Sequence, residues 1–253
     1  MASFLITGAS RGFGLALARE LVSRPASEVS TIISSARGDS PDLNEVAKGS
    51  SGRVVVVELD VTDDASVKDA AAEVAAKLDG KGLDVLINNA GICQYAMGGT
   101  KSMENLQESL DINVFGVHRV TKAFLPLLQQ GKLKKVANIS TNFGSMAIMP
   151  YVHFMPAPAY KISKAAMNAL TVQYALDYAK DGFSFMALCP GWMKTELGGG
   201  DMADLTPEQG AKASLDIIYR PNEQTNGKMP KVFVKGWEDA KGPNVYDGTD
   251  VPW

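Results

Sequence analysis

No uninterrupted apolar run in the 253-residue sequence approaches the roughly 18 residues a membrane-spanning helix needs, so a span is excluded. Cysteine is scarce: Cys93 and Cys189 form no zinc or redox spacing, and two free thiols in a reducing compartment are expected. Histidine is equally rare, with two residues, and no metal site is expected. A basic excess is also missing. Lys+Arg is 25 against 28 Asp+Glu, a net charge of −3, which argues against a phosphate-backbone partner. The N-terminus lacks a basic n-region, and Phe4-Leu5-Ile6-Thr7 runs straight into a glycine turn, so no signal peptide and a cytoplasmic location are expected. No internal repeat or low-complexity tract stands out. What is present is ordinary for a globular protein, 45% apolar and 21% charged. An α/β chain of about 250 residues often forms one domain.

Short apolar runs alternate with longer amphipathic stretches. Residues 3–7, 31–36, 53–59, 83–88, 135–140, 183–189 and 231–234 read as strands, several rich in β-branched residues. Residues 11–23, 63–78, 104–130, 160–180 and 206–219 read as helices, the last opened by Thr206 with Pro207 at its first position. The implied order alternates β and α throughout, from strand to strand. Apolar strands separated by helices pair in parallel, which predicts a single α/β, Rossmann-like, doubly wound sheet of about seven strands over residues 1–253, with helices on both faces. Ligands in such sheets sit beyond the carboxyl ends of the strands, where strand order reverses.

The first strand is followed by Gly8-Ala9-Ser10-Arg11-Gly12-Phe13-Gly14, which opens a helix. Glycines let the backbone approach a pyrophosphate, and a helix N-terminus supplies N–H groups and a positive dipole end. The spacing is G-x-x-x-G-x-G, and the plain alternative is a tight turn without a ligand. Cofactor type follows from charge. No carboxylate stands at the end of the second strand, where Ser34-Ser35-Ala36-Arg37 lies; Arg11 and Arg37 together favour a 2′-phosphate, hence NADPH over NADH. Arg37 could instead be a solvated loop residue. Asp60-Val61 suits the adenine edge, and Asp60 could equally cap the helix starting near Asp63.

Tyr160 and Lys164 are four apart and share a helix face. A phenol is a poor acid–base catalyst at neutral pH unless a nearby ammonium, with the positive nicotinamide of an oxidised cofactor, lowers its pKa. By spacing alone the two could be a surface pair. The combined pattern of Gly8-x-x-x-Gly12-x-Gly14, Asn88-Asn89-Ala90-Gly91, Asn113, Asn138-Ile139-Ser140-Thr141, Tyr160-x-x-x-Lys164 and Pro190-Gly191 resembles the short-chain dehydrogenase/reductase family over nearly the whole chain. The resemblance implies that Tyr160 donates the proton to a substrate carbonyl. Lys164 would bind the nicotinamide ribose and lower the tyrosine pKa, and Asn113 would hold a water in a proton relay. It also implies that Ser10, Arg11 and Phe13 in the glycine turn, then Asn89, Ala90 and Gly91, border the cofactor. Pro190, Gly191, Met193 and Thr195 would wrap the nicotinamide.

The pattern departs from the family in two places. The usual catalytic serine is replaced by Thr141, whose hydroxyl can serve but whose methyl crowds the pocket and stiffens χ1; Ser140 and Ser145 are the alternatives. The segment from Thr141 to Tyr160 is also longer than the family commonly has. Its Met149-Pro150-Tyr151-Val152-His153-Phe154-Met155-Pro156 stretch would form an adaptable apolar wall, or pack on its own domain or a partner. The resemblance implies that residues 192–206, with three successive glycines, act as a lid over substrate; they could instead be only a flexible surface loop. The ending Tyr246-Asp247-Gly248 … Pro252-Trp253 is similar to carbonyl reductases of the C-factor and sniffer type, and with Val234-Lys235-Gly236-Trp237 to fungal ketoreductases of the norsolorinic acid ketoreductase type. Trp237, Tyr246 and Trp253 would pin the tail. Cys93 reads as packing, His153 as a loop residue, and Lys132, Lys134 and Lys135 as a solvated turn.

These readings lead to an NADPH-dependent carbonyl reductase acting on an apolar, aromatic or polyketide-derived ketone or aldehyde. An oxidative secondary-alcohol dehydrogenase would use the same residues, and a non-catalytic NADPH-binding sensor is the alternative of another class. The partners expected are a small-molecule carbonyl and a second copy of the chain in a homodimer or homotetramer, with no nucleic acid and no membrane.

Overall fold

The computed structural model describes residues 1–239 and 244–253; residues 240–243, inside the domain read from the sequence, lie outside the described residues. The elements run β1 (Ala2–Ile6), α1 (Gly12–Ser23), β2 (Val29–Ala36), α2 (Pro41–Gly49), β3 (Val54–Glu58), α3 (Asp64–Leu78), β4 (Val85–Asn88), α4 (Leu106–Leu110), α5 (Gly116–Gln130), β5 (Lys135–Ile139), α6 (Pro158–Asp177), β6 (Ser184–Leu188), α7 (Pro207–Ile218) and α8 (Asn222–Thr225). The strands form one sheet of six in the order β3-β2-β1-β4-β5-β6, each neighbour parallel. The order reverses between β1 and β4, and the crevice beyond their carboxyl ends is where this architecture binds ligands.

The strands read as unbroken apolar runs because both faces are covered. Phe4, Ile6, Ile32, Val85, Ile87 and Met186 pack beneath α1, α2 and α7, while the alternating Leu5, Ile33, Leu86, Val136 and Phe185 pack against α3, α5 and α6. Helix α7 opens on the expected signal: the Thr206 hydroxyl accepts from the Gln209 N–H, and the Gln209 side chain accepts from the Thr206 N–H, a reciprocal capping box with Pro207 inside.

Several elements differ from the sequence reading. The seventh strand, 231–234, is absent as a strand: its backbone is shared between β6 and the tail, with single bridges from Lys231 to Cys189 and from Phe233 to Asp247. Pro230 has no N–H to donate, and Gly236 at φ 88° turns the chain away. The helix between β2 and β3, implied but not located, is α2. The pattern over 104–130 is interrupted by a π turn at Asp111–Phe115 between α4 and α5. Gly116 then lets α5 approach the segment that follows β3, since a Cβ there would stand 2.8 Å from Val61 Cγ2. Asp63, not Asp60, caps α3, accepting from the Ala65 N–H at 2.8 Å. Lys135 is buried instead of solvated, its ammonium donating to the Arg220 carbonyl.

Candidate active site

A cleft of about 1000 Å³ opens along the carboxyl ends of the strands. Its first wall is the glycine turn. Gly8 and Gly12 have φ of 65° and 55°, a region other residues rarely adopt. Asn89 locks this turn: its N–H and that of Ala90 donate to Thr7 Oγ1 at 3.0 Å, and its Nδ2 donates to the carbonyls of Thr7 and Gly8, 2.9 Å each. A Cβ on Gly14 would stand 2.4 Å from the Gly8 carbonyl, and one on Gly8 would stand 2.9 Å from Ala90 Cα. Gly8, Ser10, Arg11, Gly12, Phe13 and Gly14 all line the cleft, as do Asn89, Ala90 and Gly91. The close approach leaves a bare backbone cradle of the kind a pyrophosphate requires, so the residues present fit a dinucleotide. Thr7 was read only as strand; its place between the strand and the first glycine was the available signal.

Arg37 and Asp60-Val61 form the next wall. A recess of about 250 Å³ lies between the glycine turn and the end of β2, bordered by Ser10, Arg11, Arg37 and Asp39. The Asp39 carboxylate accepts from Asn44 Nδ2 at 2.7 Å, within its own loop. Arg11 reaches across the cleft to Glu196, 2.8 Å away, an ion pair with both side chains largely exposed. Asp60 accepts from the N–H and hydroxyl of Thr62 at 2.9 and 2.7 Å, and these bonds hold its carboxyl below the usual carboxylate range.

Tyr160 and Lys164 face the same cleft from α6. Lys164 Nζ lies 5.7 Å from the Tyr160 ring centroid and donates to the Ile139 carbonyl at 2.6 Å. Burial lowers the lysine to about 8. In the protein alone, burial pushes the Tyr160 phenol up. Cys93 also lines the cleft, and burial raises its thiol to about 11 despite Lys164.

Asn113 is buried behind the cleft, not on its wall. It sits in the π turn, where its amide accepts from the Ile92 N–H and donates to the Ile92 carbonyl and to Ser163 Oγ, each at 2.9 Å. Its side chain holds the segment after Gly91 in place.

Ser140 and Thr141 both border the cleft, and each of the three candidate hydroxyls has its own acceptor. Ser140 Oγ donates to Asn168 Oδ1 at 2.7 Å, and Ser145 Oγ donates to the Pro252 carbonyl at 2.5 Å. Thr141 borders the cleft, accepts from the Phe143 N–H at 3.3 Å and donates to Asn142 Oδ1 at 3.1 Å. Phe154 and Met155 of the long loop reach the cleft, while Tyr151 projects into solvent. His153 stays on the loop, contacting the Pro150 carbonyl.

Pro190, Gly191, Met193 and Thr195 close the opposite side. The loop expected to act as a lid folds back on itself: Lys194 N–H donates to the Leu205 carbonyl at 2.8 Å and Trp192 Nε1 to the Gly198 carbonyl at 2.7 Å. Of the expected tail anchors, Tyr246 is buried against Trp237 at 6.0 Å, but the Trp253 ring is exposed and that residue is held by its carbonyl. Asn142, Asp204 and Asn244, not singled out in the sequence, meet beside this tail; no local pattern brings such distant residues together.

A Rossmann-like sheet, a bare glycine cradle and a buried tyrosine–lysine pair in one cleft define a nicotinamide-dependent oxidoreductase. The family model for short chain dehydrogenases matches residues 3–205, and the chain belongs to that family. An uncharacterized oxidoreductase of Schizosaccharomyces pombe is 32% identical over 269 residues, covering 99% of this chain and 97% of the relative. The short chain dehydrogenase virK of Hypocrea virens is 33% identical, covering 96% and 86%. Among solved structures, an NADPH-bound carbonyl reductase from chicken fatty liver superposes with a TM-score of 0.85 at 29% identity over 100% of this chain and 99% of that one. The carbonyl reductase Sniffer of D. melanogaster gives 0.86 at 27%, covering 100% of both chains. Among the described residues no helix is long and apolar enough to cross a membrane.

Proposed function

We propose that the chain is an NADPH-dependent carbonyl reductase for an apolar, aromatic or polyketide-derived ketone or aldehyde. The observation that carries this reading is the convergence of Tyr160, Lys164 and Thr141 on the apolar end of a cleft whose other end is the glycine cradle. Two similar solved structures, of 29% and 27% identity, are named carbonyl reductases, one of them NADPH-bound.

The glycine turn would hold the pyrophosphate and Arg11 and Arg37 a 2′-phosphate, with Asp60 and Val61 at the adenine and residues 190–195 around the nicotinamide. NADPH bound there supplies a hydride to the carbonyl carbon. Tyr160 delivers a proton to the carbonyl oxygen, and its raised pKa keeps the phenol protonated for that task. Thr141 would offer its hydroxyl to the same oxygen, the hydrogen turning away from Asn142 Oδ1 as substrate binds, while the Ser140 and Ser145 hydroxyls donate to Asn168 and Pro252. Lys164, anchored on Ile139, places its cation beside Tyr160 and would bind the nicotinamide ribose. Asn113 braces the backbone of Ile92 behind Gly91. Phe143, Ile148, Phe154 and Met155 give the substrate an adaptable apolar wall.

The test is NADPH consumption against aliphatic, aryl and polycyclic carbonyls, with Tyr160→Phe as control. Turnover on aryl or polycyclic ketones that disappears in the variant supports the reading. NADPH binding without turnover on any carbonyl overturns it.

A further inference from the structure

A line of hydrogen bonds runs from the catalytic loop to the lid loop through the C-terminal tail. Thr141 Oγ1 donates to Asn142 Oδ1 at 3.1 Å, and Asn142 Nδ2 donates to Asn244 Oδ1 at 3.4 Å. Asn244 Nδ2 then donates to Asp204 Oδ2 at 3.2 Å. The Tyr246 hydroxyl donates to that same carboxylate oxygen at 2.6 Å and accepts from the Trp192 N–H at 3.2 Å. The far end of the tail is fastened separately. Ser145 Oγ donates to the Pro252 carbonyl, and Ala147 N–H to the Trp253 carbonyl at 3.3 Å.

The tail is packed as well as bonded. Gly191 has φ 87°, and a Cβ there would stand 2.7 Å from Leu205 Cδ1 and 3.1 Å from Tyr246 Cε1, so tail, lid and the turn after β6 meet without space between them. Val245, Tyr246, Thr249 and Val251 complete the cleft wall.

We infer that residues 244–253 form a strap coupling the lid loop to the catalytic loop, and that Asp204 is the positioning residue on which the strap closes. The inference rests on the role given above to Thr141. One carboxylate oxygen takes the Asn244 amide and the Tyr246 hydroxyl together, so a shift of the lid moves Asn244 and, through it, Asn142. The Thr141 hydroxyl accepts from Phe143 and places its hydrogen on Asn142. Displacing Asn142 therefore changes where that hydrogen points. The Tyr246 phenol stays a donor throughout, because burial and the Asp204 carboxylate both raise its pKa. Asp204 itself need not touch substrate.

The test compares Asp204→Ala, Asp204→Asn and Tyr246→Phe with the unaltered full chain. On a ketone the wild type reduces, Asp204→Ala and Tyr246→Phe lower kcat by about tenfold with little change in NADPH affinity or Tm. Asp204→Asn, which keeps an acceptor oxygen, recovers most of that loss. Amide hydrogen exchange, which needs no substrate, speeds up in Asp204→Ala both at Lys194 and Leu205 and at Gly144 and Ser145. Unchanged kcat in all three variants overturns the inference, as does a fall in kcat matched by equal losses of Tm and NADPH binding. Faster exchange confined to the lid overturns the coupling. If Tyr160→Phe keeps wild-type turnover, the reductase reading fails instead, and the exchange pattern alone decides for or against the strap.

Discussion

Lys164 Nζ donates to the carbonyl of Ile139, the last residue of β5, at 2.6 Å. The ammonium is thereby tied to the strand that leads into Thr141, and burial brings its pKa from 10.5 down to about 8. The kcat/KM for NADPH reports ionisations of the free enzyme. It is expected to be level below about 8 and to fall as pH rises through that value, because deprotonation removes the cation beside Tyr160. In Lys164→Arg the guanidinium stays charged and this limb disappears, whatever happens to the absolute rate. A pH–rate profile of both proteins checks this.

Lys135 offers a purely structural counterpart. Burial lowers it from 10.5 to about 8 as well, far from the cleft. Between these values the unfolded chain holds a proton that the folded one has released, so stability rises with pH across the window. Below about 8 both states are protonated and the gain is absent. Lys135→Met shows a smaller rise than the wild type between pH of about 8 and about 9.5, read by urea unfolding.

Gly14→Ala is expected to damage fold and site together. Its Cβ would stand 2.4 Å from the Gly8 carbonyl and 2.5 Å from Asn89 Nδ2, where the backbone cannot yield cheaply. Overpacking of this kind costs about 1–3 kcal/mol. NADPH binding should weaken with it, while Gly49→Ala, with no atom near its added Cβ and outside the cleft, leaves both unchanged. Thermal melts and cofactor titration decide the matter.

The recess beside Arg37 predicts cofactor choice. Arg37→Ala is expected to cut the preference for NADPH over NADH by about 10–100-fold, the worth of a charged hydrogen bond to phosphate. Glu196→Gln acts in the opposite direction, since it releases Arg11 from its ion pair. The pair is exposed, so its loss leaves Tm unchanged. Binding constants for both nucleotides in each variant test the two signs.

Much of this site was legible because its chemistry is local. The glycine turn, Asn89 to Gly91 and the Tyr160–Lys164 spacing each lie within one short stretch. Helix α7 announced its start through Thr206 and Pro207. The π turn was not legible, since residues 106–130 carry one continuous helical periodicity and the extra residue per turn serves contacts with Ile92 and Ser163, distant in sequence. The seventh strand failed for a related reason: residues 231–234 have strand composition, but β6 and the tail compete for their backbone.

The sequence by itself determined the parallel sheet, through apolar runs that only two-sided burial can satisfy, and the cofactor cradle, through glycines placed between strand and helix. The tertiary structure alone decided the partners of the three neighbouring hydroxyls, sending Ser140 to Asn168, Thr141 to Asn142 and Ser145 to Pro252. It also decided the direction in which burial moves the Tyr160 and Lys164 pKa values, since burial depends on the whole packed molecule. The convergence of Asn142, Asp204 and Tyr246 belongs to the same class: a hydrogen bond between residues far apart in the chain has no local pattern to announce it.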